Sequence, residues 1–116
     1  MRERAKDPRR LQHMLEAIDV AFDYVGNRDK DAFIADKARY HGVLYNIAVV
    51  GEAANMLTSE FRESHPNTPW KQIIGMRNFL IHDYHNVEED FVWDVIQRDL
   101  PVLRQQIQQY IEELKD

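Results

Sequence analysis

Cysteine is absent from this chain of 116 residues, so disulfide frameworks, thiolate zinc sites and cysteine nucleophiles are excluded. Glycine and proline are scarce, with four residues each, which excludes collagen-like and low-complexity proteins. No apolar run approaches the ~20 residues that span a bilayer, and the N-terminal segment is charged rather than apolar. We therefore expect a cytoplasmic protein that makes no contact with membranes.

The remaining composition is that of an ordinary globular protein. Apolar residues make up 44% of the chain and charged residues 30%. Chains of ~100–150 residues commonly form one domain around one core. We therefore expect residues 1–116 to form a single domain.

The charge is unevenly distributed. The formal net charge is −5, and the acidic excess lies in residues 86–116, where three basic residues stand against eight acidic ones. A net-acidic protein is a poor general binder of nucleic acid, and the simplest interpretation of this acidic C-terminal segment is a solvated helix face. The basic N-terminal segment either attracts RNA or forms a frayed, charged end. Its basic residues are Arg2, Arg4, Lys6, Arg9 and Arg10.

Apolar residues recur every three or four positions along most of the chain, which predicts α-helices. Asp7, as N-cap before Pro8, should begin a first helix that Gly26 ends. A second long helix should run from about residue 36 to about residue 57. The segment between the two, residues 29–35, is predicted to be either a helical turn or a loop.

Two further helices complete the pattern. Residues 59–68 form the longest polar connection, and the pair Thr68-Pro69 then repeats the start signal for a third helix that ends near His82. Residues 83–86 should form the next turn, with Asn86 as the candidate N-cap of the last helix.

Pro101 lies inside the apolar pattern of that last helix. A proline there removes one backbone hydrogen bond and its ring clashes with the preceding turn. No long segment alternates with the period of two that a strand requires. The predicted fold is therefore all-α, an antiparallel four-helix-type bundle whose last helix is kinked or split near Pro101.

The segment from Arg77 to His85 is the densest polar cluster in an otherwise apolar pattern. Arg77 supplies a planar, permanently charged donor suited to phosphate, and His82 can give and take protons near neutral pH. Metal-free cleavage of RNA needs both a cationic donor for phosphate and a group that transfers protons. The ribose 2'-hydroxyl loses a proton as it attacks the adjacent phosphate, the leaving 5'-oxygen gains one, and the phosphorane needs cationic donors. The pattern indicates that His82 transfers protons and Arg77 stabilises charge.

The spacing of these residues restricts how they can act together. On an ideal helix Arg77 and His82 lie about 140° apart, whereas Asn78 and His82 share a face. A working site therefore needs a helix that ends by His82, a bent Arg77 side chain, or two copies of the segment that meet across a dimer. A two-fold axis would place both copies of His82 in one cleft.

Arg77, His82 and Tyr84 match the Arg-x4-His-x-Tyr motif, and by this motif the chain resembles the HepT-like toxins, a branch of the HEPN (higher eukaryotes and prokaryotes nucleotide-binding) ribonucleases. Further tracts resemble that family in order and spacing, so that the resemblance covers nearly the whole chain. These tracts are Asp7-Pro8-Arg9, Ile18, Gly51-Glu52-Ala53-Ala54, Pro69-Trp70-Lys71-Gln72-Ile73, Gly75-Met76-Arg77-Asn78, and Val92-Trp93 through Asp99-Leu100-Pro101.

The resemblance implies an all-helical homodimer with the paired motifs in a cleft between the subunits. It implies a metal-independent endoribonuclease toxin of a type VII-like toxin-antitoxin pair, which needs no cofactor. It also implies a nucleotidyltransferase antitoxin as partner, which transfers an adenylyl group from ATP to the motif tyrosine, here Tyr84. Asn78, Glu52 and Asp83 receive supporting roles. Glu52 is expected to orient Arg77 from a neighbouring helix, and Asp83 follows His82 directly.

Each of these residues also has a purely structural interpretation. Arg77 and Glu52 could form an ion pair between helices, and Tyr84 could be an amphipathic residue at a helix end. His82 and His85 are three residues apart beside Asp83, which is a weak indication of a metal site.

The other histidines and the tryptophans have no motif partners. His13, His41 and His65 are predicted to be surface or helix-packing residues, and Trp70 and Trp93 to belong to the core.

A function of a different class is also open. The bundle could be a non-catalytic interaction module, whose Tyr84 serves only as a docking surface and modification target for the nucleotidyltransferase partner. A pure docking module has no need of both Arg77 and His82, so their presence favours the enzyme.

Overall fold

The protein is described by a computed structural model over residues 3–115, so Arg2 of the basic N-terminal segment and Asp116 of the acidic C-terminal segment lie outside the described residues. The α-helices are α1 (Asp7–Val25), α2 (Lys30–Ala35), α3 (Lys37–Met56), α4 (Ser59–Ser64), α5 (Trp70–His82), α6 (Glu89–Asp94) and α7 (Leu100–Glu113). Residues 3–115 contain no β-strand. The predicted all-α bundle is confirmed.

Helix α3 lies at the centre of the bundle. It packs against α1 on one side and α5 on the other, while α7 packs against α1. Apolar side chains of all the long helices meet in one core, with Leu11, Ile18, Val43, Leu44 and Ile107 almost completely buried. Burying a side chain of this size stabilises the fold by ~1.5–3 kcal/mol relative to leaving it in water.

The predicted boundaries of the long helices agree with the structure, but three predicted N-caps are wrong. Asp7 is the first residue of α1 rather than its cap, and its buried carboxylate accepts hydrogen bonds from the backbone N–H of Thr58 at 3.0 Å and from the Thr58 hydroxyl at 2.7 Å. Thr58 is itself the N-cap of α4. Asp7 thus connects the starts of two helices, which a search for local caps does not detect.

The other two caps fail for a similar reason. Thr68 does not cap α5, because its hydroxyl is 2.8 Å from Gln106 Oε1 and 2.6 Å from the Tyr110 hydroxyl, both on α7. Asn86 does not cap α6, since its amide donates to Asp83 at 2.6 Å and Glu88 occupies the cap position. In each case the side chain forms its hydrogen bond with a partner other than the backbone N–H that a cap would bind.

Two connections contain short helices. Of the two alternatives predicted for residues 29–35, the helical one is confirmed, since Lys30–Ala35 form α2 and its N-cap Asp29 accepts a hydrogen bond from Ala32 N at 2.9 Å. The predicted polar connection of residues 59–68 contains the short helix α4. Phe61 of α4 is buried, so this segment belongs to the core.

The predicted irregularity before Pro101 is confirmed. Val95–Asp99 form a π-helical turn between α6 and α7, and the Leu100 N–H donates to the Val95 carbonyl, five residues earlier. Pro101 then lies in the first turn of α7, where its missing N–H leaves no hydrogen bond unmade. The wide turn therefore lets the chain continue without a break.

Helices α3 and α5 approach most closely at Gly51. A Cβ atom at this position would overlap Cβ of Arg77 and lie 2.9 Å from the Ile73 carbonyl oxygen, both on α5. Only glycine allows this contact, which places the Arg77 backbone directly against α3.

We expect Gly51→Ala to destabilise the fold by about 1–2 kcal/mol, because the strain of overpacking exceeds the higher helix propensity of alanine. Gly75→Ala on α5 is the matched control for the isolated chain. No atom of another element of the same chain is within 4 Å of the place where its Cβ atom would lie, so it should stabilise the single chain by up to about 1 kcal/mol. Urea unfolding at a protein concentration too low for dimers measures both changes, and a Gly51→Ala variant as stable as the parent would contradict the close approach.

Candidate active site on α5 and the following turn

Arg77 is held in a fixed orientation at the interface between α5 and α3. Its Nη2 lies 3.0 Å from Glu52 Oε1 on α3, and its Nη1 donates to Asn78 Oδ1 at 2.8 Å. Its side chain is 26% exposed, and its Nε is buried with no hydrogen-bond partner among residues 3–115. The structure thus brings the predicted residues Glu52, Arg77 and Asn78 together, with part of the guanidinium open to solvent.

His82 is the last residue of α5 and is exposed. The helix therefore ends by His82, which is one of the three arrangements in which Arg77 and His82 could act together. Within the described part of the chain the His82 side chain makes no hydrogen bond or ion pair, so both ring nitrogens are accessible.

One face of α5 is uncovered in the single chain. Only Trp70 and Leu80 of this helix are buried, while a stripe at helical spacing is exposed. We call it the α5 stripe, and it consists of Lys71, Gly75, Asn78, Phe79 and His82. Next to it Ile81 is 52% exposed. A small residue at the centre and exposed apolar side chains around His82 are features of a surface that packs against another helix.

Tyr84 lies in the short 3-10 turn Tyr84–Asn86 that follows α5. The carboxylate of Asp83 accepts the Asn86 side-chain amide at 2.6 Å and so stabilises this turn. Asp83 therefore supports the position of Tyr84 and makes no contact with Arg77.

The Tyr84 hydroxyl forms a hydrogen bond with Nδ1 of His41 on α3. The two rings lie nearly parallel, with centroids 5.6 Å apart, and the His85 ring lies edge-on to Tyr84 at 6.0 Å. Partial burial raises the pKa of the Tyr84 hydroxyl above its ordinary value of about 10. Tyr84 is therefore a neutral phenol at physiological pH.

A cavity of about 540 Å³ opens beside this pair. Its walls include Lys37, Tyr40, His41, Tyr84 and His85, together with the first residues of α6. Tyr40 is 5% exposed, and its hydroxyl has no hydrogen-bond partner among the described residues. Arg77 and His82 do not line this cavity. The predicted residues thus lie in two places, the Arg77 cluster on α5 and the Tyr84 turn, with His82 at the junction.

The prediction for His41 is confirmed, because it is exposed on α3 and its ring packs against Tyr84, but its contact with the Tyr84 hydroxyl was not predicted. His41 and Tyr84 are 43 positions apart, and no local motif connects them. The prediction for His65 is confirmed, because its ring stacks on Phe61 at 4.0 Å. Trp70 is a core residue as predicted, and Trp93 is half-buried against the core.

Two basic residues of the N-terminal segment form ion pairs. Arg4 pairs with Glu60 at 3.2 Å, and Lys6 pairs with Glu3 at 3.8 Å.

His82, His85 and Asp83 are not assembled around a common point, since within residues 3–115 no three metal-ligating side chains form a group that could hold an ion. None of the helices in the same range is long and apolar enough to cross a membrane.

Comparison with known proteins places the chain in a family. Residues 14–110 match the model of a family described as Ribonuclease HepT-like. The chain is 36% identical over 104 residues to a protein of Methanocaldococcus jannaschii named gamma-glutamylcyclotransferase and putative RNase. That match covers 90% of this chain but 47% of the relative, so the chain spans about half the length of that protein.

Two further relatives match over most of both chains. The chain is 32% identical to a putative RNase of Caldanaerobacter subterraneus subsp. tengcongensis, over 90% of its own length and 94% of the relative's. It is 29% identical to a probable ribonuclease HepT of Thermococcus cleftensis, over 81% and 86% of the two lengths. No solved structure gives a significant match. On the family match and these relatives, the chain belongs to the Ribonuclease HepT-like family.

Proposed function

We propose that this protein is a metal-independent endoribonuclease, the toxin of a type VII-like toxin-antitoxin pair, which cleaves RNA by attack of a ribose 2'-hydroxyl on the adjacent phosphate. The observation that carries the proposal is the fixed guanidinium of Arg77 on the same helix as an exposed, terminal His82. Membership of a family described as Ribonuclease HepT-like supports the same activity.

Each residue has one role in the proposed reaction. His82 accepts the proton of the 2'-hydroxyl, or donates a proton to the leaving 5'-oxygen, because both of its nitrogens are open to substrate. Arg77 donates hydrogen bonds to the phosphorane oxygens, where negative charge builds up. Glu52 and Asn78 are positioning residues, because they fix the guanidinium plane before substrate binds.

The active form is a homodimer in this proposal. A single chain offers one copy of His82, whereas the reaction needs one group to remove a proton and another to supply one. A second copy packed on the α5 stripe would bring two copies of His82 into one cleft. The exposed apolar side chains of Phe79 and Ile81 favour such packing.

We expect His82→Ala and Arg77→Ala each to lower the rate of RNA cleavage by ~10²-fold or more. The free energy of unfolding should stay within about 1–2 kcal/mol of the parent's, because His82 is exposed and Arg77 makes one half-exposed ion pair. His13→Ala, on α1, is the matched control and should cleave at the parental rate. Loss of folding in both variants would support a structural role instead, and parental protein that leaves RNA intact would favour the interaction module.

Mixing the parent with the inactive His82→Ala variant tests the shared cleft. If one cleft needs both copies of His82, random exchange of subunits in an equal mixture leaves about half of the parental chains in parental dimers, and cleavage falls to about half of that of the same amount of parent alone. If each site lies within one chain, or the active protein sediments as a monomer, the variant leaves the parental rate unchanged and the shared cleft is wrong.

Cleavage should continue in EDTA and leave a 2',3'-cyclic phosphate, because the nucleophile is the neighbouring 2'-hydroxyl rather than a metal-bound water. An RNA with a single 2'-deoxyribose at the cleaved position is the matched control and should resist at that position alone. Mass spectrometry of the fragments identifies the new ends. Loss of activity in EDTA, or cleavage of DNA, would support a metal site at His82 and His85.

The proposed partner is a nucleotidyltransferase antitoxin, which silences the toxin by adenylylation of Tyr84. An adenylyl group at this position lies two residues from His82 and adds a phosphate with negative charge. It would fill space at the end of α5 and repel RNA. The position of Tyr84 on an exposed turn beside an open cavity supports this role.

We expect Tyr84→Phe to fold like the parent, to accept no adenylyl group and to escape silencing, because it lacks the acceptor oxygen but keeps the ring. Intact mass after incubation with the candidate nucleotidyltransferase, ATP and Mg²⁺ measures the adduct. Tyr45→Phe is the matched control, since Tyr45 is 69% exposed on α3 and should not be the acceptor. An equal adduct on Tyr84→Phe would place the switch elsewhere.

A further inference from the structure

The contact between His41 and Tyr84 joins two different parts of the chain at one oxygen atom. His41 is on α3, Tyr84 is on the turn after α5, and the hydrogen bond connects the phenol oxygen to the imidazole Nδ1. The two rings are nearly parallel, so the imidazole lies beside the phenol ring. Within residues 3–115 the Tyr84 hydroxyl forms no hydrogen bond with another side chain.

The tautomer of His41 decides the direction of this hydrogen bond. When the imidazole carries its hydrogen on Nε2, Nδ1 is an acceptor and the Tyr84 O–H donates to it. His41 is exposed, so solvent can accept the Nε2 hydrogen and later take a proton away. A neutral His41 is therefore a proton acceptor already in contact with the Tyr84 hydroxyl.

A phenol in this position needs such an acceptor before it can react. Burial raises the pKa of the Tyr84 hydroxyl, so the reactive phenolate is rarer than in free tyrosine at neutral pH. A phenol becomes an effective nucleophile when an adjacent base removes its proton during the attack.

We propose that His41 is the general base that activates the Tyr84 hydroxyl for group transfer. The inference rests on the proposed function, in which Tyr84 accepts an adenylyl group, and it assigns the base to this chain rather than to the partner. In the step, the Tyr84 oxygen attacks the α-phosphorus of ATP and forms a new P–O bond. The bond between the α-phosphorus and the bridging oxygen breaks, pyrophosphate leaves, and the phenol proton passes to Nδ1 of His41.

An open space lies beside the pair. The cavity of about 540 Å³ lies directly beside the two rings and is large enough for a nucleotide. Lys37 in its wall pairs with Glu89 at 3.7 Å, and Glu88 and Asp90 add further negative charge, so the cavity offers room beside the hydroxyl rather than a cationic site for phosphate. The titratable groups around His41 are Lys37 and Tyr40 on α3, Tyr84 and His85 on the turn, and Glu88, Glu89 and Asp90 at the start of α6.

The base can be tested without the partner enzyme, by acetylation of the full chain with N-acetylimidazole. The phenol oxygen attacks the acetyl carbon, imidazole leaves, and the phenol proton again passes to His41. Trypsin releases residues 78–98 as a peptide that contains Tyr84 as its only tyrosine and no lysine. Mass spectrometry of that peptide therefore gives the initial rate at Tyr84 alone.

The variants separate proton transfer from positioning. His41→Asn keeps an acceptor oxygen near the place of Nδ1 but cannot take the proton, whereas His41→Ala removes both. His13→Asn, on α1, is the matched control for loss of a histidine elsewhere. Free N-acetyltyrosinamide in the same tube reports the reactivity of an unassisted phenol.

We expect Tyr84 of the parent to react at pH 7 about tenfold or more faster than Tyr84 of His41→Asn or His41→Ala. The parental rate should rise much less steeply with pH, because His41 removes the proton from the neutral phenol. The rates at Tyr84 of the two variants and at the free reference should instead rise about tenfold per pH unit, since these phenols react only as the phenolate. The pH profile of the parent needs no substitution, so it remains informative if a variant fails to fold.

A parental profile as steep as that of the free reference, or a His41→Asn variant that reacts like the parent, would overturn the role of His41 as a base. Neither outcome bears on RNA cleavage. An adenylyl adduct on Tyr84→Phe would instead contradict the proposed switch, so the two failures are distinguishable.

Discussion

The close packing of α3 against α5 is the constraint on which the rest of the structure depends. Because Gly51 has no side chain, the backbone of Arg77 can lie directly against α3. The next residue of α3, Glu52, then reaches the guanidinium. One small residue thus determines both the distance between two helices and the orientation of a charged side chain. Earlier on α3, His41 reaches the turn that leaves α5, so the same helix pair also positions Tyr84.

Much of the fold was predictable because the apolar periodicity is strong. Each of the long helices has a continuous stripe of apolar residues, and burial of that stripe decides where the helix lies. The wrong assignments concern polar residues with more than one available partner. Asp7 and Thr68 are residue types that commonly cap helices. Their side chains instead form hydrogen bonds with distant residues, at the N-cap of α4 and on α7. Local patterns do not contain those partners.

The candidate site was predictable in its segment but not in its geometry. Arg77, His82 and Tyr84 are close in sequence, and the ion pair of Arg77 with Glu52 follows from the spacing of α3 and α5. The contact of Tyr84 with His41 depends on how the turn after α5 folds back over α3. That path is set by long-range packing and by the hydrogen bond of Asp83 with Asn86. It therefore cannot be inferred from the spacing of residues in the sequence.

The π-helical turn at Val95–Asp99 has a consequence for how chains of this kind can vary in length. A turn whose hydrogen bond spans five residues holds one residue more than an α-helical turn. Removal of one residue there would draw this turn back toward α-helical bonding and bring the ring of Pro101 against the carbonyl of the preceding turn. The extra residue is therefore the length of chain that the proline requires, and a one-residue deletion in this segment would be tolerated only together with replacement of Pro101.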